Sequence, residues 1–129
     1  RAESVIEHNT VSGHPHEGIV LHNAAAEVVG NWVADNNLRG IAITEMSMAT
    51  VQDNTLINNA DAGLYIVDMS RVEAENNRIG AMRPGPFGWA HAIRVEYYAE
   101  AQLKGNRLDD GVAGIVVWHN GLVDGDVSP

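Results

Sequence analysis

The amino-acid sequence predicts an all-β solenoid of about five stacked coils, on the strength of two repeated phrases that stay in register. The first phrase is Asn, any residue, then Val, Leu or Ile, and successive copies begin 22, 23, 23 and 29 residues apart. The second phrase is a small residue followed by an aliphatic strand. The first occurs at 9–11, 31–33, 54–56, 77–79 and 106–108, and the second at 18–21, 40–43, 63–66, 92–95 and 114–117. Two phrases in one register indicate a repeat architecture with a 22–23-residue period.

Each repeat is expected to consist of short strands separated by turns. Its apolar runs are three to five residues long, alternate with polar residues and are rich in Val and Ile, as in strands. Gly, Asn and Asp cluster between the runs, which is the composition of turns. Stacking the repeats predicts two inward columns, Ile19, Ile41, Leu64, Ile93 and Ile115, then Leu21, Ile43, Ile66, Val95 and Val117. A single coil could not bury these residues, so the coils must stack.

The five repeated Asn residues are interpreted as a structural turn ladder rather than a ligand-binding row. Asn tolerates the left-handed backbone region better than most residues, so the Asn itself is expected to form the turn. A side-chain amide both donates and accepts, so stacked Asn residues can bond along the column.

Segments such as 36–43 and 51–59 resemble right-handed parallel β-helix repeats of carbohydrate-binding and sugar-hydrolysing domains, and the resemblance covers nearly the whole chain. It implies one right-handed parallel β-helix domain over residues 1–129. The family includes mannuronan C5-epimerases, polysaccharide lyases and periplasmic accessory proteins of nitrous-oxide reductase. The run Gly13–Glu17 is similar to the epimerase signature Asp-Pro-His-Asp/Glu, with His14 in place of the catalytic Asp, so only the matching His16 and Glu17 are carried over as candidates. The resemblance implies polysaccharide binding, with epimerase- or lyase-like action on a uronate-containing polymer as its catalytic form.

The composition limits which classes of partner and which kinds of chemistry are expected. Eight Lys and Arg against 17 Asp and Glu leave a formal charge of −9, which disfavours nucleic acid and anionic membrane surfaces. No apolar run approaches 18 residues, so no membrane span is predicted. Cysteine is absent, which excludes disulfides and thiolate chemistry. The chain starts at Arg1 without a signal peptide, and a periplasmic or extracellular mature form, or a fragment of a longer β-helix, is expected.

One irregularity predicts where a site lies. The repeated Asn precedes the second phrase by nine residues in the first three coils and eight in the last, but by 15 in the fourth. About six residues are therefore inserted within 80–91, where Pro84 and Pro86 restrict the backbone. Insertions in repeat proteins form loops on one face, and that face often binds ligands.

The outward positions beside this insertion supply the candidate site residues, because adjacent coils lie about 4.8 Å apart. The predicted catalytic residues are Arg94, which would neutralise a uronate carboxylate, and His91 or Tyr65, which would move the proton. The predicted substrate-binding residues are Arg39, Trp89, Glu96, Trp118 and His22, whose aromatic members would pack against sugar rings. The alternative is a solvated face of surface ion pairs and strand-forming aromatics.

No cofactor or metal is predicted, because His14 and His16 could supply two ligands but spacing identifies no third. The alternative function is a non-catalytic structural module that self-associates through its ends as a homodimer. The N-terminal coil has no protection against edge-to-edge pairing, whereas the polar tail Val123–Pro129 is expected to protect the other end.

Overall fold

The computed structural model describes residues 3–109 and 113–128, and these contain only strands and turns. No helix in this part of the chain is long and apolar enough to cross a membrane. The strands are β1 (Glu3–Glu7), β2 (Thr10–Ser12), β3 (Ile19–His22), β4 (Ala25–Val29), β5 (Trp32–Ala34), β6 (Ile41–Thr44), β7 (Met48–Gln52), β8 (Thr55–Ile57), β9 (Asp61–Ile66), β10 (Arg71–Glu75), β11 (Arg78–Gly80), β12 (Ala90–Val95), β13 (Glu100–Leu108), β14 (Ala113–Val117) and β15 (Leu122–Ser128).

The strands stack in parallel as a solenoid of about five coils, as predicted. The large sheet has ten strands, in the order β1-β4-β7-β10-β13-β11-β8-β5-β2, with β15 also paired to β13. The small sheet has the order β14-β12-β9-β6-β3. The long strand β13 pairs with β10 along its first half and with β11 along its second half, and so joins two rows of strands into one sheet. One coil therefore comprises one strand from each of these rows and one strand of the small sheet. The segment predicted as a polar tail instead forms most of β15.

The predicted columns form the core. Ile19 pairs with Ile41, Ile41 with Leu64, and Leu64 with Ile93, so the period-2 alternation places all of them on the inner side of the small sheet. The buried hydrophobic residues are all Ala, Val, Leu or Ile in the described part of the chain. Val117 was predicted to point inward but is 44% exposed, because no described strand stacks on β14 beyond it.

The Asn ladder is confirmed, but its backbone differs from the prediction. From Asn31 onward, the side-chain oxygen of each ladder Asn accepts from the backbone N–H of the Asn one coil earlier, as in Asn31 N to Asn54 Oδ1 at 2.9 Å. The amide nitrogens of Asn31, Asn54 and Asn77 donate both to the next Asn and to a main-chain carbonyl oxygen. The prediction that the Asn adopts the left-handed conformation is wrong. That conformation belongs to the residue before it, His8, Gly30, Asp53, Asn76 and Gly105.

Two further ladders support the remaining corners. Asn36 donates to the Asn59 side chain at 2.9 Å, and the backbone N–H of Ser47 donates to Ser70 Oγ at 3.1 Å. The small residue of the second phrase is required beside the Asn pair. A Cβ on Gly40 would lie 2.8 Å from a carbonyl oxygen and 2.9 Å from the Asn59 amide nitrogen.

The corner between the small and large sheets contains two consecutive left-handed residues in four coils. These pairs are Glu45–Met46, Asp68–Met69, Tyr97–Tyr98 and His119–Asn120. In the first coil Asn23 alone takes this conformation, which removes one residue and accounts for the 22-residue first step. The corner directs Tyr97 and His119 outward, next to the candidate site.

Candidate functional site

The inserted segment forms a loop that folds over the outer side of the small sheet. The Gly85 N–H donates to the Trp89 carbonyl at 2.9 Å, and the Gly88 N–H donates to the Gly85 carbonyl at 3.0 Å. Gly85 rests directly on Asp61, since a Cβ at Gly85 would lie 2.5 Å from the Asp61 Cβ. The loop therefore seals Asp61 from solvent and places Trp89 above the sheet.

Asp61 joins the two predicted arginines. Its carboxylate accepts from Arg94 at 2.5 and 3.2 Å and from Arg39 Nε at 2.6 Å. Arg39 also pairs with Glu17 at 3.2 Å. Asp61 holds a left-handed backbone with φ of 69° at the start of β9. A buried carboxylate in such a conformation persists only where its surroundings enforce it, and here two guanidinium groups do so.

Arg94 lies beneath the aromatic side chains rather than among them at the surface. It is 1% exposed, and its Cζ is 4.8, 5.3 and 5.7 Å from the ring centres of Tyr65, Trp89 and Trp118. These distances are within the range of cation–π attraction. The Nε atom has no hydrogen-bond partner in the described structure, and the Glu96 carboxylate lies 4.0 Å away.

His91 and Tyr65 differ in their ability to accept a proton, because their pKa values are shifted in opposite directions. The Arg94 guanidinium can only donate, so His91 Nδ1 accepts its hydrogen bond at 3.2 Å. Burial and the neighbouring Arg94 charge lower the His91 pKa, which favours the neutral imidazole. Tyr65 donates to Glu96 at 2.8 Å, and burial together with this carboxylate raises the Tyr65 pKa. Tyr65 is therefore held as a protonated donor, which disfavours it as a base.

A chain of contacting rings runs from the inserted loop to the corner of the coils. Trp89 lies 5.5 Å from Phe87 and 4.8 Å from Trp118, Trp118 lies 6.4 Å from His119, and His119 stacks on Tyr97 at 4.4 Å. Phe87 is 72% exposed and Trp89 40% exposed. These five residues, Phe87, Trp89, Tyr97, Trp118 and His119, are called the aromatic surface below.

The structure brings together most of the predicted site residues, namely Arg39, Tyr65, Trp89, His91, Arg94, Glu96 and Trp118. His22 is left outside this group. It lies on β3 in the first coil, exposed, with its Nδ1 3.3 Å from Thr44 Oγ1. The sequence analysis missed Asp61, Phe87, Tyr97 and His119. The signal for Asp61 was available, since Arg39 and Arg94 stand at outward positions of the two coils that flank the coil of Asp61, and a carboxylate between them can pair with both guanidinium groups.

Two further features are the contacts of Arg83 and the grouping of possible metal ligands. Arg83 donates to the main-chain carbonyls of Asn36 and Asn58, at 2.7 and 3.2 Å, and so braces the loop against two coils. No group of three or more His, Asp or Glu side chains suited to a metal ion occurs within the residues described.

A concave surface lies on the large sheet, away from the aromatic surface. This groove has a volume of about 460 Å³, and Met48, Thr50, Arg71, Glu73 and Glu100 line it. Arg71 and Glu100 pair across it at 3.4 Å, and both are well exposed. None of the predicted site residues lies there.

Comparison with known proteins supports the architecture. No curated protein and no solved structure gave a significant match. The family model described as a right-handed β-helix region matches residues 1–125, nearly the full length of the chain. With the parallel coils and the Asn ladder, this match shows that the chain belongs to the right-handed β-helix family.

Proposed function

We propose that the protein binds polysaccharide on its aromatic surface. The observation that carries the proposal is the placement of the rings. The core is aliphatic, whereas every Trp, Tyr and Phe except Trp32 lies on the last three coils, at or beside this surface. The rings are contiguous, and all are exposed except Trp118, which is half-buried between Trp89 and His119. Such an arrangement can stack on the apolar faces of successive sugar units. Covering each ring stabilises the complex by about 1–3 kcal/mol.

Polar groups at the edge of the rings add hydrogen-bonding partners for sugar hydroxyls. The Glu96 carboxylate lies 4.0 Å from His119, and the imidazole of His91 carries its proton on Nε2 when Nδ1 accepts from Arg94, so Nε2 can donate. Carboxylates accept hydrogen bonds from hydroxyl groups strongly. A ligand held by ring stacking and by these polar groups would be polyhydroxylated and partly apolar, as a glycan is.

Epimerase- or lyase-like action on a uronate polymer stays a prediction. It assigns Arg94 to the substrate carboxylate and His91 or Tyr65 to the proton. The neutral His91 suits that role, but Arg94 is buried and already bonded to Asp61, so a substrate would have to displace the loop to reach it. The geometry favours binding without turnover.

The test is a polysaccharide panel of alginate, pectate and neutral glucans, with binding followed by calorimetry and products by NMR. The double variant Trp89→Ala/Trp118→Ala is expected to lose at least tenfold in affinity, which corresponds to about 1.4 kcal/mol. Trp32→Ala is the matched control, because Trp32 is similarly exposed, at 48%, but lies on the large sheet. An unchanged affinity in the double variant, or an equal loss in the control, would contradict the proposal. A new product signal lost on changing His91 would establish turnover.

The second candidate function is self-association through the N-terminal coil. Strands β1, β2 and β3 are each paired on one side only, and Ile6 and Val11 are only partly buried. Unpaired strand edges bind other strands. We expect Ile6→Lys to convert a dimer to a monomer in sedimentation velocity, while Val20→Lys, on the outer side of the same coil, leaves the dimer intact. A wild-type chain that stays monomeric at high concentration would exclude this candidate.

A further inference from the structure

Both arginines beside the aromatic surface are already neutralised by the protein's own carboxylates. Arg94 pairs with Asp61 through two nitrogens, and Arg39 is shared between Asp61 and Glu17. Arg94 is also beyond contact with solvent. Neither guanidinium is therefore available as a free positive charge at the surface.

The same surface carries an excess of carboxylate. Glu96 lies against the rings and is bonded to Tyr65, with its second oxygen 4.0 Å from both Arg94 and His119. Counting two arginines against Asp61, Glu17 and Glu96 leaves one negative charge. A neutral His91 adds no positive charge to this group.

The charge of the whole chain also disfavours an anion, since the formal net charge is −9. Among the other cations that the structure describes, Arg71, Arg78 and Arg107 each lie within 4.0 Å of a carboxylate, and Lys104 lies on the large sheet. The guanidinium of Arg83 is turned to the main-chain carbonyls of Asn36 and Asn58. An acidic surface repels a polyanion over about one Debye length, about 8–10 Å at physiological salt.

We propose that the ligand of the aromatic surface is an uncharged polysaccharide and that uronate polymers are rejected. This inference rests on the proposed function. A uronate carboxylate placed on the rings would lose water beside Glu96, with no free cation among the described residues around the rings to replace that water, which is costly. An uncharged hydroxymethyl group at the same position loses less on transfer and can donate to the Glu96 carboxylate.

Matched oligosaccharides that differ only at C6 test the inference. The probes are 1,4-linked hexasaccharides of glucose, mannose and galactose, each beside its uronate counterpart of the same configuration, with affinity measured by calorimetry on the full chain. The neutral member of any pair that binds is expected to bind at least tenfold more tightly. Its affinity is expected to change less than twofold between about 50 and 500 mM NaCl, because charge contributes little.

The possible results distinguish failure of this inference from failure of the proposed function. Equal or tighter binding of the uronate member would overturn the inference and leave polysaccharide binding in place. No binding by any member of the three pairs would overturn the proposed function and the inference together. Neutral binding that Trp89→Ala/Trp118→Ala leaves unchanged would place the ligand elsewhere, which would also overturn the inference.

Discussion

Replacing Asn54 by alanine tests how much the Asn ladder holds the coils together. The Asn54 side chain accepts from the Asn31 N–H at 2.9 Å and from its amide at 3.0 Å, and it donates to the Val28 carbonyl at 2.8 Å and to Asn77 at 3.0 Å. Asn77 still accepts from the Asn54 main chain in the variant. The Asn31 N–H and the Val28 carbonyl lose their side-chain partner inside the protein. An unsatisfied buried group costs about 1–3 kcal/mol, so the variant should lose about 2–6 kcal/mol.

The assay is equilibrium urea unfolding followed by circular dichroism, with Asn9→Ala as the matched control. Asn9 is exposed, and its side chain makes one donated bond to Asn31 at 3.1 Å. Its loss should cost about 0.5–1.5 kcal/mol. The expected result is a lower midpoint for Asn54→Ala at an unchanged slope. Destabilisation of Asn54→Ala no greater than that of Asn9→Ala would refute the ladder as a source of stability.

Three further predictions concern the packing and electrostatics of the site coils, each measured as the free energy of unfolding. Gly63→Ala should destabilise the protein by about 1–3 kcal/mol, because the new Cβ would lie 2.5 Å from the Ile79 side chain and 2.9 Å from the Ala92 carbonyl oxygen. Gly114→Ala is the control and should be neutral, because its Cβ would meet one side-chain atom at 3.8 Å. Asp61→Asn should cost about 3–5 kcal/mol, because the buried Arg94 loses its paired carboxylate and Arg39 keeps only Glu17. Asp109→Asn, in an exposed pair, should cost about 1 kcal/mol or less, and equal costs would contradict the buried cluster. The lowered His91 pKa means that the unfolded chain takes up the proton first, so the wild type should lose stability as pH falls below about 6.5, and His91→Gln should lack this part of the loss. Parallel pH profiles for the two proteins would count against that assignment.

The coils were predictable because hydrophobic periodicity and repeat spacing are local properties. The register of Ile19, Ile41, Leu64 and Ile93 follows from chain spacing alone once the coils stack. The left-handed residue before each ladder Asn was not predictable in the same way. His8, Gly30 and Asp53 have little in common as residues, and the ladder geometry, rather than their own preference, imposes the conformation.

The sequence was sufficient to predict where the candidate site lies, but not how deeply each of its residues is buried or which groups it contacts. The insertion and the outward columns identified Arg39, Tyr65, His91 and Arg94. The burial of Arg94 could not be predicted from the sequence, because it depends on how the inserted loop folds over the sheet. The partnership of Tyr97 and His119 depends on the double left-handed turn at the corner, which has no sequence signature in this chain.

The three tryptophan indole N–H signals report whether a glycan lies on the aromatic surface. The chain contains Trp32, Trp89 and Trp118, of which the last two belong to that surface. In a ¹H–¹⁵N NMR titration with the tightest-binding oligosaccharide of the panel, the Trp89 and Trp118 signals should shift with saturation and the Trp32 signal should not, as glycan binding at the aromatic surface requires. A titration in which Trp32 shifts alone, or in which binding leaves Trp89 and Trp118 unperturbed, would contradict it.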